Sequence, residues 1–475
     1  MTLKQRSGRV PAISRLLPAP LRDPVLRRPL LGWLGVGLAV RFAVMPFAFH
    51  SDLLAVYWRA HLIAYEGQLF GSYLVNMGAH YVHALALRLL GPLLPPPAAV
   101  WTDPWWWGDS GGLQTQVTRE FATSSDVFST LFVLKLPYLA FDLAAGLLLL
   151  SLVAAGRPQA IRRAWAFWML SPIGLYATYL FARYEAFPVA LVLGALLACE
   201  RRRPWTGALL LGLAVTTRTY PLLLVPVFAL VAVRGWRRQG AWAGLALLPF
   251  ALTMVTNRIL GGTAGELARL RDIAPGDAFL ALTLPVQGAG DIYLMLAAVL
   301  AVYGYLLGRS AGWWGAGAVR VGELWVWLLV VHAAFFALAT FSAHYFMWFT
   351  PFVALALARR PRWRGVLALH LLQVVTILAI SDLVNGPRTV LGLFQPLSPV
   401  AATELPSLRE LLLNSRALTE QLIGVLRTGF LVLTGLLAAP ALAELAGRAP
   451  QVAHPEPHRP ADQHEPQSRK QRVAR

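Results

Sequence analysis

The stretch Phe47-Ala48-Phe49-His50-Ser51-Asp52-Leu53-Leu54-Ala55-Val56-Tyr57-Trp58 lies where the first long apolar segment of the chain ends and its first polar groups begin. The apolar segment runs from Leu30 to Phe47. If it crosses a bilayer, Asp52 is the first carboxylate that the chain presents on the far side, with His50 beside it. The rest of the sequence is then a membrane scaffold that brings other polar groups to Asp52.

The composition predicts a polytopic all-α membrane protein. Of the 475 residues, 57% are hydrophobic and 14% are charged, which is far from the usage of a soluble globular domain. The net charge is +19, but the basic residues fall in short clusters between apolar segments, as membrane topology requires. This pattern argues against nucleic acid as a partner. The single cysteine, Cys199, excludes an intrachain disulfide.

A helix needs about 20 apolar residues to span a bilayer, and fewer where part of it is re-entrant. On this measure the sequence predicts about twelve transmembrane helices. They are expected at 30–47, 127–150, 164–181, 186–199, 205–217, 221–234, 240–256, 291–307, 323–340, 345–358, 364–381 and 417–438.

The basic clusters predict the orientation of these spans. The N-terminal tail 1–29, the connections with Arg162-Arg163 and Arg201-Arg202-Arg203, and the basic run 359–364 all fall on one side of the predicted topology. By the positive-inside rule that side is cytoplasmic. We therefore expect a multi-pass protein of the cell membrane with both termini in the cytoplasm.

Three regions follow from this topology. They are a basic tail at 1–29, a transmembrane domain at 30–440 and a disordered cytoplasmic tail at 441–475. The first outer loop, 48–126, carries two amphipathic stretches, Leu53 to Leu69 and His80 to Leu94, expected along the outer membrane surface. Its segment from Trp101 to Asp109 is interpreted as an interfacial anchor in preference to a sugar-stacking platform.

Two ionisable residues fall inside a predicted span. Lys135 and Asp142 are seven positions apart, which places them on one helix face. Two interpretations stay open. In the first, Lys135 snorkels outward and Asp142 pairs with another helix, for instance through Arg41. In the second, Lys135 reaches a phosphate from below.

Three tight outer turns supply further polar groups. Phe181-Ala182-Arg183-Tyr184-Glu185 holds an arginine and a carboxylate at the outer lip, where they either pair with each other or belong to a site. Thr216-Thr217-Arg218-Thr219-Tyr220 surrounds a guanidinium with hydroxyls, which suits a phosphate oxyanion. Ser342-Ala343-His344-Tyr345 adds a histidine. Because these polar turns fall opposite the basic clusters, any chemistry is expected on the outer face.

The set of motifs resembles the GT-C-fold integral-membrane glycosyltransferases, in particular bacterial polyprenyl-phosphate-mannose-dependent mannosyltransferases. The resemblance rests on Asp52 followed by Tyr57-Trp58, and on four later stretches. These are Lys135-Leu136-Pro137-Tyr138 with Asp142, Ala182-Arg183-Tyr184-Glu185-Ala186-Phe187-Pro188, Thr217-Arg218-Thr219-Tyr220-Pro221, and His344-Tyr345-Phe346-Met347-Trp348-Phe349-Thr350-Pro351.

The resemblance implies a sugar donor on a polyprenyl phosphate, with mannose as the expected sugar, presented at the outer leaflet. Asp52 can take the proton of an acceptor hydroxyl, and cations can stabilise the departing phosphate. The expected catalytic residues are Asp52 and His344. The donor phosphate is expected at Arg218, Lys135, Arg183 and Tyr220, and substrate contacts are expected at His50, Tyr57, Tyr184, Glu185 and Tyr345.

No cofactor is expected beyond the lipid-linked donor. The sequence contains neither a Gly-rich phosphate loop nor an Asp-x-Asp pair for a metal-bound sugar nucleotide, so we expect a reaction without metal. In-line attack on the anomeric carbon would invert its configuration. The expected partners are membrane lipids, the polyprenyl-phosphate sugar and an acceptor, which is a glycolipid, a polysaccharide or a protein.

Two other functions are compatible with a polytopic chain. A transporter or flippase of a lipid-linked saccharide would need ionisable residues near mid-membrane, and Lys135 and Asp142 keep that alternative open. An acyltransferase or a phosphoethanolamine transferase is disfavoured. The chain lacks a His-x-x-x-x-Asp arrangement suited to acyl transfer, and its outer loops are too short for a soluble catalytic domain.

Overall fold

The fold is that of a computed structural model, which describes residues 17–70, 76–95, 112–261, 282–286, 290–313, 319–398, 406, 408–412 and 415–445. The predicted Trp-rich anchor at 101–109 lies outside the described residues, as do residues 1–16 of the basic tail and the C-terminal tail from 446 onward.

The described chain is almost entirely helical, which confirms the predicted fold class. Its α-helices of eight residues or more are α1 Pro24–Val44, α2 Asp52–Tyr65, α3 Met77–Leu90, α4 Gly112–Ala122, α5 Val127–Leu134, α6 Leu136–Leu152, α7 Pro158–Leu170, α8 Ala186–Glu200, α9 Pro204–Thr217, α10 Val225–Ala232, α11 Trp236–Leu260, α12 Leu294–Ala311, α13 Leu324–Leu338, α14 Thr350–Arg359, α15 Trp363–Asn385 and α16 Arg416–Leu445.

Shorter helical turns link these helices. They are Ala19–Arg22, Gly91–Leu93, Pro172–Leu175, Tyr176–Leu180, Tyr220–Leu224, Val321–Glu323, Ala343–Phe349, Gly386–Thr389, Leu391–Phe394 and Leu408–Leu412. The sequence did not predict a small antiparallel hairpin. Its strands are β1 Thr283–Val286 and β2 Gly290–Tyr293, and Leu284 pairs with Ile292.

Six helical segments of the described chain are long and apolar enough to cross a membrane. They are Val127–Leu152, Trp236–Leu260, Leu294–Ala311, Val321–Leu338, Trp363–Asn385 and Arg416–Ala443, and shorter apolar helices run over Ala186–Glu200, Pro204–Thr217 and Tyr220–Ala232. A polytopic membrane protein is therefore supported. The number of twelve spans stays a prediction.

Several predicted spans are interrupted, and proline is a common cause. The helix over 127–152 is broken at Lys135, and the next helix restarts with Pro137 in its first turn. The predicted span at 345–358 begins as the 3₁₀ turn Ala343–Phe349, and α14 starts with Pro351 in its first turn. Proline has no N–H to continue a preceding helix but fits the first turn of a new one. The predicted span at 291–307 was placed too early, because its first residues belong to β2.

The described helices of segment 48–126, which was predicted to be the first outer loop, pack against the rest of the protein, whereas the sequence predicted that its amphipathic stretches lie along the membrane surface. Most residues of α2 are buried, and α2 packs against α3. At the start of α3, a Cβ added to Gly78 would overlap the Thr216 hydroxyl, so the glycine allows α3 to contact the end of α9. This contact brings α3 to a residue two positions before Arg218.

The bundle has two distinct ends. At one end Arg359 donates to the Leu152 carbonyl at 3.3 Å and lies 3.5 Å from the Glu200 carboxylate. Helix α8 runs from there to Glu185 and spans about 22 Å at 1.5 Å per residue. The Arg-rich turns and the predicted site turns are thus at opposite ends of the bundle.

Candidate active site

Asp52 is the first residue of α2 and lies between a histidine and an arginine. Its carboxylate is 3.4 Å from Arg183 Nη1 and 3.6 Å from His50 Nδ1, and its own backbone N–H donates to His50 Nδ1 at 3.2 Å. Burial would raise the pKa of Asp52, but the charge of Arg183 and the contact with His50 outweigh it and hold the pKa far below its usual value. The carboxylate is therefore ionised at any physiological pH.

Arg183 reaches Asp52 because of an unusual backbone turn. The short π-helical turn Tyr176–Leu180 ends beside it, and Ala182 has a φ of 62°. Left-handed φ is uncommon for a residue with a side chain and often occurs at functional sites. The Arg183 N–H donates to the Ala177 carbonyl at 2.9 Å, which fixes the turn and sends the guanidinium toward Asp52.

Glu185 forms the second acid–arginine pair. Arg218 donates to both of its oxygens, through Nε at 3.1 and 3.3 Å and also through Nη2. The Trp348 indole donates to the other side of the same carboxylate at 2.6 Å. A forked, charge-assisted pair of this kind is the strong form of ion pair.

Aromatic rings surround Arg218. Its guanidinium carbon is 4.8 Å from the centroid of the Tyr184 ring and 4.9 Å from that of Tyr345. Trp348 is stacked between Tyr220 at 3.7 Å and Tyr345 at 4.7 Å. These rings keep water away from the Arg218–Glu185 pair and fix its orientation.

A stack of three rings joins the first and the last site segments. Phe181 lies between His50 at 4.2 Å and His344 at 4.3 Å. Both His344 nitrogens lack a hydrogen-bond partner among the described residues, and Nε2 is 3.9 Å from Glu185. Burial, followed by the charges of Arg183 and Arg218, lowers the pKa of His344 well below its usual value, so the ring is neutral at pH 7.

Exposure differs across the site. The side chains of Asp52 and His50 are 23% and 25% exposed, whereas Glu185 is fully buried and Arg218 is 9% exposed. A hydrophilic molecule would therefore meet Asp52 first. The structure thus brings together nine of the predicted site residues: His50, Asp52, Arg183, Tyr184, Glu185, Arg218, Tyr220, His344 and Tyr345.

Two predicted site residues lie in the packed interior with other partners. The Lys135 ammonium donates to the carbonyls of Met45 at 2.6 Å, Tyr179 at 2.8 Å and also Ala48. These three bonds use all of its protons, so the phosphate contact expected of Lys135 has no free donor. The Tyr57 hydroxyl donates to the Leu134 carbonyl, and the residue is buried. Neither residue is kept in the binding set proposed below.

The structure decides between the two interpretations of Asp142. Arg41 Nε donates to its carboxylate at 2.7 Å, and the Tyr179 hydroxyl donates to the same oxygen at 2.7 Å. The predicted pairing of Asp142 with Arg41 is confirmed. Lys135 does not snorkel outward, because it is fully buried and hydrogen-bonded.

Sequence reasoning missed several residues that build the site. The sequence predicts no separate role for Trp348, yet its indole N–H donates directly to the Glu185 carboxylate. His83 was read as part of an amphipathic helix, but its ring is buried against Tyr57 and Tyr184 and lies 2.9 Å from the Tyr138 hydroxyl. The sequence signal for a buried role of His83 was its spacing from His80, one helical turn away on an otherwise apolar face.

The described residues contain no group of three or more His, Cys, Asp or Glu side chains that could hold a metal ion. The predicted independence from metal stays a prediction.

A helical bundle with six candidate spans among its described residues and a polar cluster at one end indicates a multi-pass membrane protein. Residues 127–261 match the sequence model of Glycosyltransferase family 87. This match indicates a membrane glycosyltransferase. It covers Arg183, Glu185 and Arg218, whereas Asp52 and His344 lie outside it. No match was found among the curated proteins or the solved structures.

Proposed function

We propose that this protein transfers a sugar from a polyprenyl-phosphate donor to an acceptor hydroxyl at the outer face of the membrane, with mannose as the first sugar to test. The observation that carries the proposal is the ion pair of a partly open carboxylate, Asp52, with Arg183, close to a second acid–arginine pair that Glu185 forms with Arg218. The family match supports glycosyl transfer, and the residues argue for the donor and the mechanism.

The reaction needs a base and an electrophile in line. Asp52 accepts the proton of the acceptor hydroxyl, the acceptor oxygen bonds to the anomeric carbon, and the bond from that carbon to the phosphate oxygen breaks. The bonding electrons leave with the phosphate, which gains one negative charge. Attack from the opposite side inverts the anomeric configuration. His50 contacts the base and holds its orientation.

The leaving phosphate needs positive charge and hydrogen-bond donors. Arg183 and Arg218 supply the charge, and both lie against the Tyr184 ring, which keeps them in the same part of the site. His344 is neutral and buried, so it contributes a hydrogen bond in place of a charge. Tyr220 and Tyr345 position Trp348, and through it Glu185.

The transporter alternative loses the observation that kept it open. Lys135 and Asp142 bind to other parts of the protein and do not line an ion path. No other observation favours transport.

The test is an assay of the purified protein in proteoliposomes with a radiolabelled polyprenyl-phosphate mannose and a mixed glycolipid acceptor fraction. We expect release of polyprenyl phosphate together with labelled product. Asp52→Asn is expected to reduce turnover by about 10²–10⁴-fold, the usual contribution of a general base. Asp126→Asn, which changes an exposed carboxylate, is the matched control.

Two results would contradict the proposal. One is near-normal turnover of Asp52→Asn, which would remove Asp52 as the base. The other is movement of labelled sugar across the bilayer without cleavage of the donor, which would indicate transport.

A further inference from the structure

The two arginines of the site differ in how fully their donors are used. Arg218 is held by a forked pair with Glu185, and that carboxylate is fixed further by Trp348. Arg183 touches Asp52 only through Nη1 at 3.4 Å, and its buried Nε has no hydrogen-bond partner among the described residues. A buried guanidinium nitrogen without a partner is costly, so it marks a place where a ligand oxygen would be favourable.

The contact of Arg183 with Asp52 also limits the ability of Asp52 to accept a proton. An arginine charge beside a carboxylate stabilises its ionised form and makes it a weaker proton acceptor. The groups that face Asp52 are Arg183, His50 of its own segment and His344 of the turn Ala343–Phe349. Arg183 is the only one of these that is charged at every physiological pH.

We propose that Arg183 is shared between Asp52 and the donor phosphate: in the empty site it neutralises Asp52, and on donor binding it turns to the phosphate and releases Asp52 as the base. This inference rests on the proposed function and adds to it an order of donor binding and proton transfer. The donor must bind before the acceptor hydroxyl can be deprotonated. The tightly held Arg218 stays in place as the fixed partner of Glu185.

The geometry allows this exchange without a change of fold. The Arg183 backbone is anchored by its hydrogen bond to Ala177, the guanidinium lies against the Tyr184 ring, and the ion contact that it would give up is the long one to Asp52. The charges also balance. When the acceptor proton moves to Asp52, that carboxylate becomes neutral, and the phosphate that gains a charge then faces Arg183.

The test measures binding of polyprenyl phosphate, the expected product, because it requires no turnover. Binding is measured by microscale thermophoresis in detergent for wild type, Asp52→Asn, Arg183→Gln and the double variant. With Asp52→Asn, Arg183 has no competing carboxylate, and we expect about tenfold tighter binding, which corresponds to one strong charge contact. In the Arg183→Gln background the same change at Asp52 is expected to have no effect.

Controls separate this exchange from a general charge effect. Asp126→Asn removes an exposed carboxylate that has no place in the proposed site and is expected to leave the affinity unchanged. Arg183→Lys keeps the charge and is expected to retain part of the gain from Asp52→Asn. If Arg183→Gln does not fold, the comparison of Asp52→Asn with Asp126→Asn still decides, because equal affinities in these two variants overturn the proposal.

The result also separates this inference from the proposed function. If wild type prefers polyprenyl phosphate over the uncharged polyprenol but Asp52 and Arg183 act independently, the exchange is wrong and the lipid-phosphate site stands. If neither wild type nor any variant prefers the phosphate, both are wrong.

The pH profile gives a second readout. Removing the charge of Arg183 is expected to return the pKa of Asp52 toward its usual value. The residual kcat/KM of Arg183→Gln should then fall at a higher pH than that of wild type as the solution is acidified. An unchanged acidic limb would contradict the exchange.

Discussion

Glu185 and Asp52 are both carboxylates beside an arginine, yet their surroundings give them different roles. Glu185 is fully buried and accepts hydrogen bonds from Arg218 and Trp348. Asp52 is partly open and has one long ion contact. The buried carboxylate is held by its partners, and the partly open one is the group that we propose as the base.

The first prediction concerns Glu185. Glu185→Gln leaves Arg218 buried beside a neutral amide, and removal of one partner of a buried pair typically costs about 3–5 kcal/mol. We expect a loss of this size in unfolding of the detergent-solubilised protein. Glu323→Gln is the matched control, because its pair with Arg320 is exposed and is worth at most about 1 kcal/mol. Equal stability of the two variants would contradict the structural role of Glu185.

The second prediction concerns His83, which lies outside the candidate spans. Its Nδ1 must donate to the Ala79 carbonyl at 2.6 Å, since a carbonyl oxygen can only accept. Burial lowers the pKa of His83 to about 3, so Nε2 is unprotonated and accepts from the Tyr138 hydroxyl. The folded protein therefore holds His83 neutral throughout the physiological range.

His83 makes the stability of the folded protein depend on pH. The unfolded chain binds a proton at His83 below a pKa of about 6.5, and the folded chain does not. Stability is present above that pH and is lost as the pH falls toward 3. Between pH 7 and pH 5, wild type is expected to lose on the order of 2 kcal/mol from His83, and His83→Gln should lose less over the same range. His61→Gln changes a partly open histidine and should not reduce the loss to the same extent.

At the scale of elements, Lys135 ties together the segments that carry the site. Its three acceptors are the carbonyls of Met45, Ala48 and Tyr179. The first two precede His50 and Asp52, and the third precedes Arg183. Lys135 was expected to bind a phosphate. It instead joins the segment that carries His50 and Asp52 to the segment that carries Arg183.

The third prediction tests this role. Lys135→Met leaves three buried carbonyls without a donor, at a cost of roughly 1–3 kcal/mol for each unsatisfied group. We expect faster amide hydrogen exchange over residues 45–52 and 179–183, together with loss of turnover. Exchange within α8 serves as the internal control and should stay unchanged. Unaltered exchange in the two segments would show that Lys135 does not hold them.

At the scale of the whole molecule, the basic clusters are separated from the candidate site. The described Arg-rich turns around Arg162, Arg202 and Arg359 lie at one end of the bundle, and the candidate site lies at the other. If the basic end is cytoplasmic, the site faces outward, where a lipid-linked donor of the outer leaflet is accessible.

The fourth prediction tests this orientation. Cys199 is the only cysteine of the chain and is buried, so wild type should react little with a membrane-impermeant maleimide. Ser342→Cys, at the site end, is expected to be labelled in intact cells. Arg202→Cys, at the basic end, should be labelled only after permeabilisation. The reverse pattern would place the site inside the cell and would exclude an outer-leaflet donor.

The sequence by itself determined the membrane fold and most of the ionisable groups of the site. Both signals are local. The length of an apolar segment decides whether it can span a membrane, and a charged residue at the end of such a segment is visible in the sequence without knowledge of its partner. The match of predicted and observed helices at α8, α9 and α15 follows from this.

Only the tertiary structure decided which groups pair. Trp348 meets Glu185 across 163 positions, Lys135 meets Met45 across 90, and Arg218 meets Glu185 across 33. A local sequence pattern does not show which residues far along the chain will come into contact. A lysine that donates to backbone carbonyls therefore looks the same in sequence as one that binds a phosphate. The free energy of a buried charge depends on the partner that packing brings to it, and that partner is fixed only when the helices are in place.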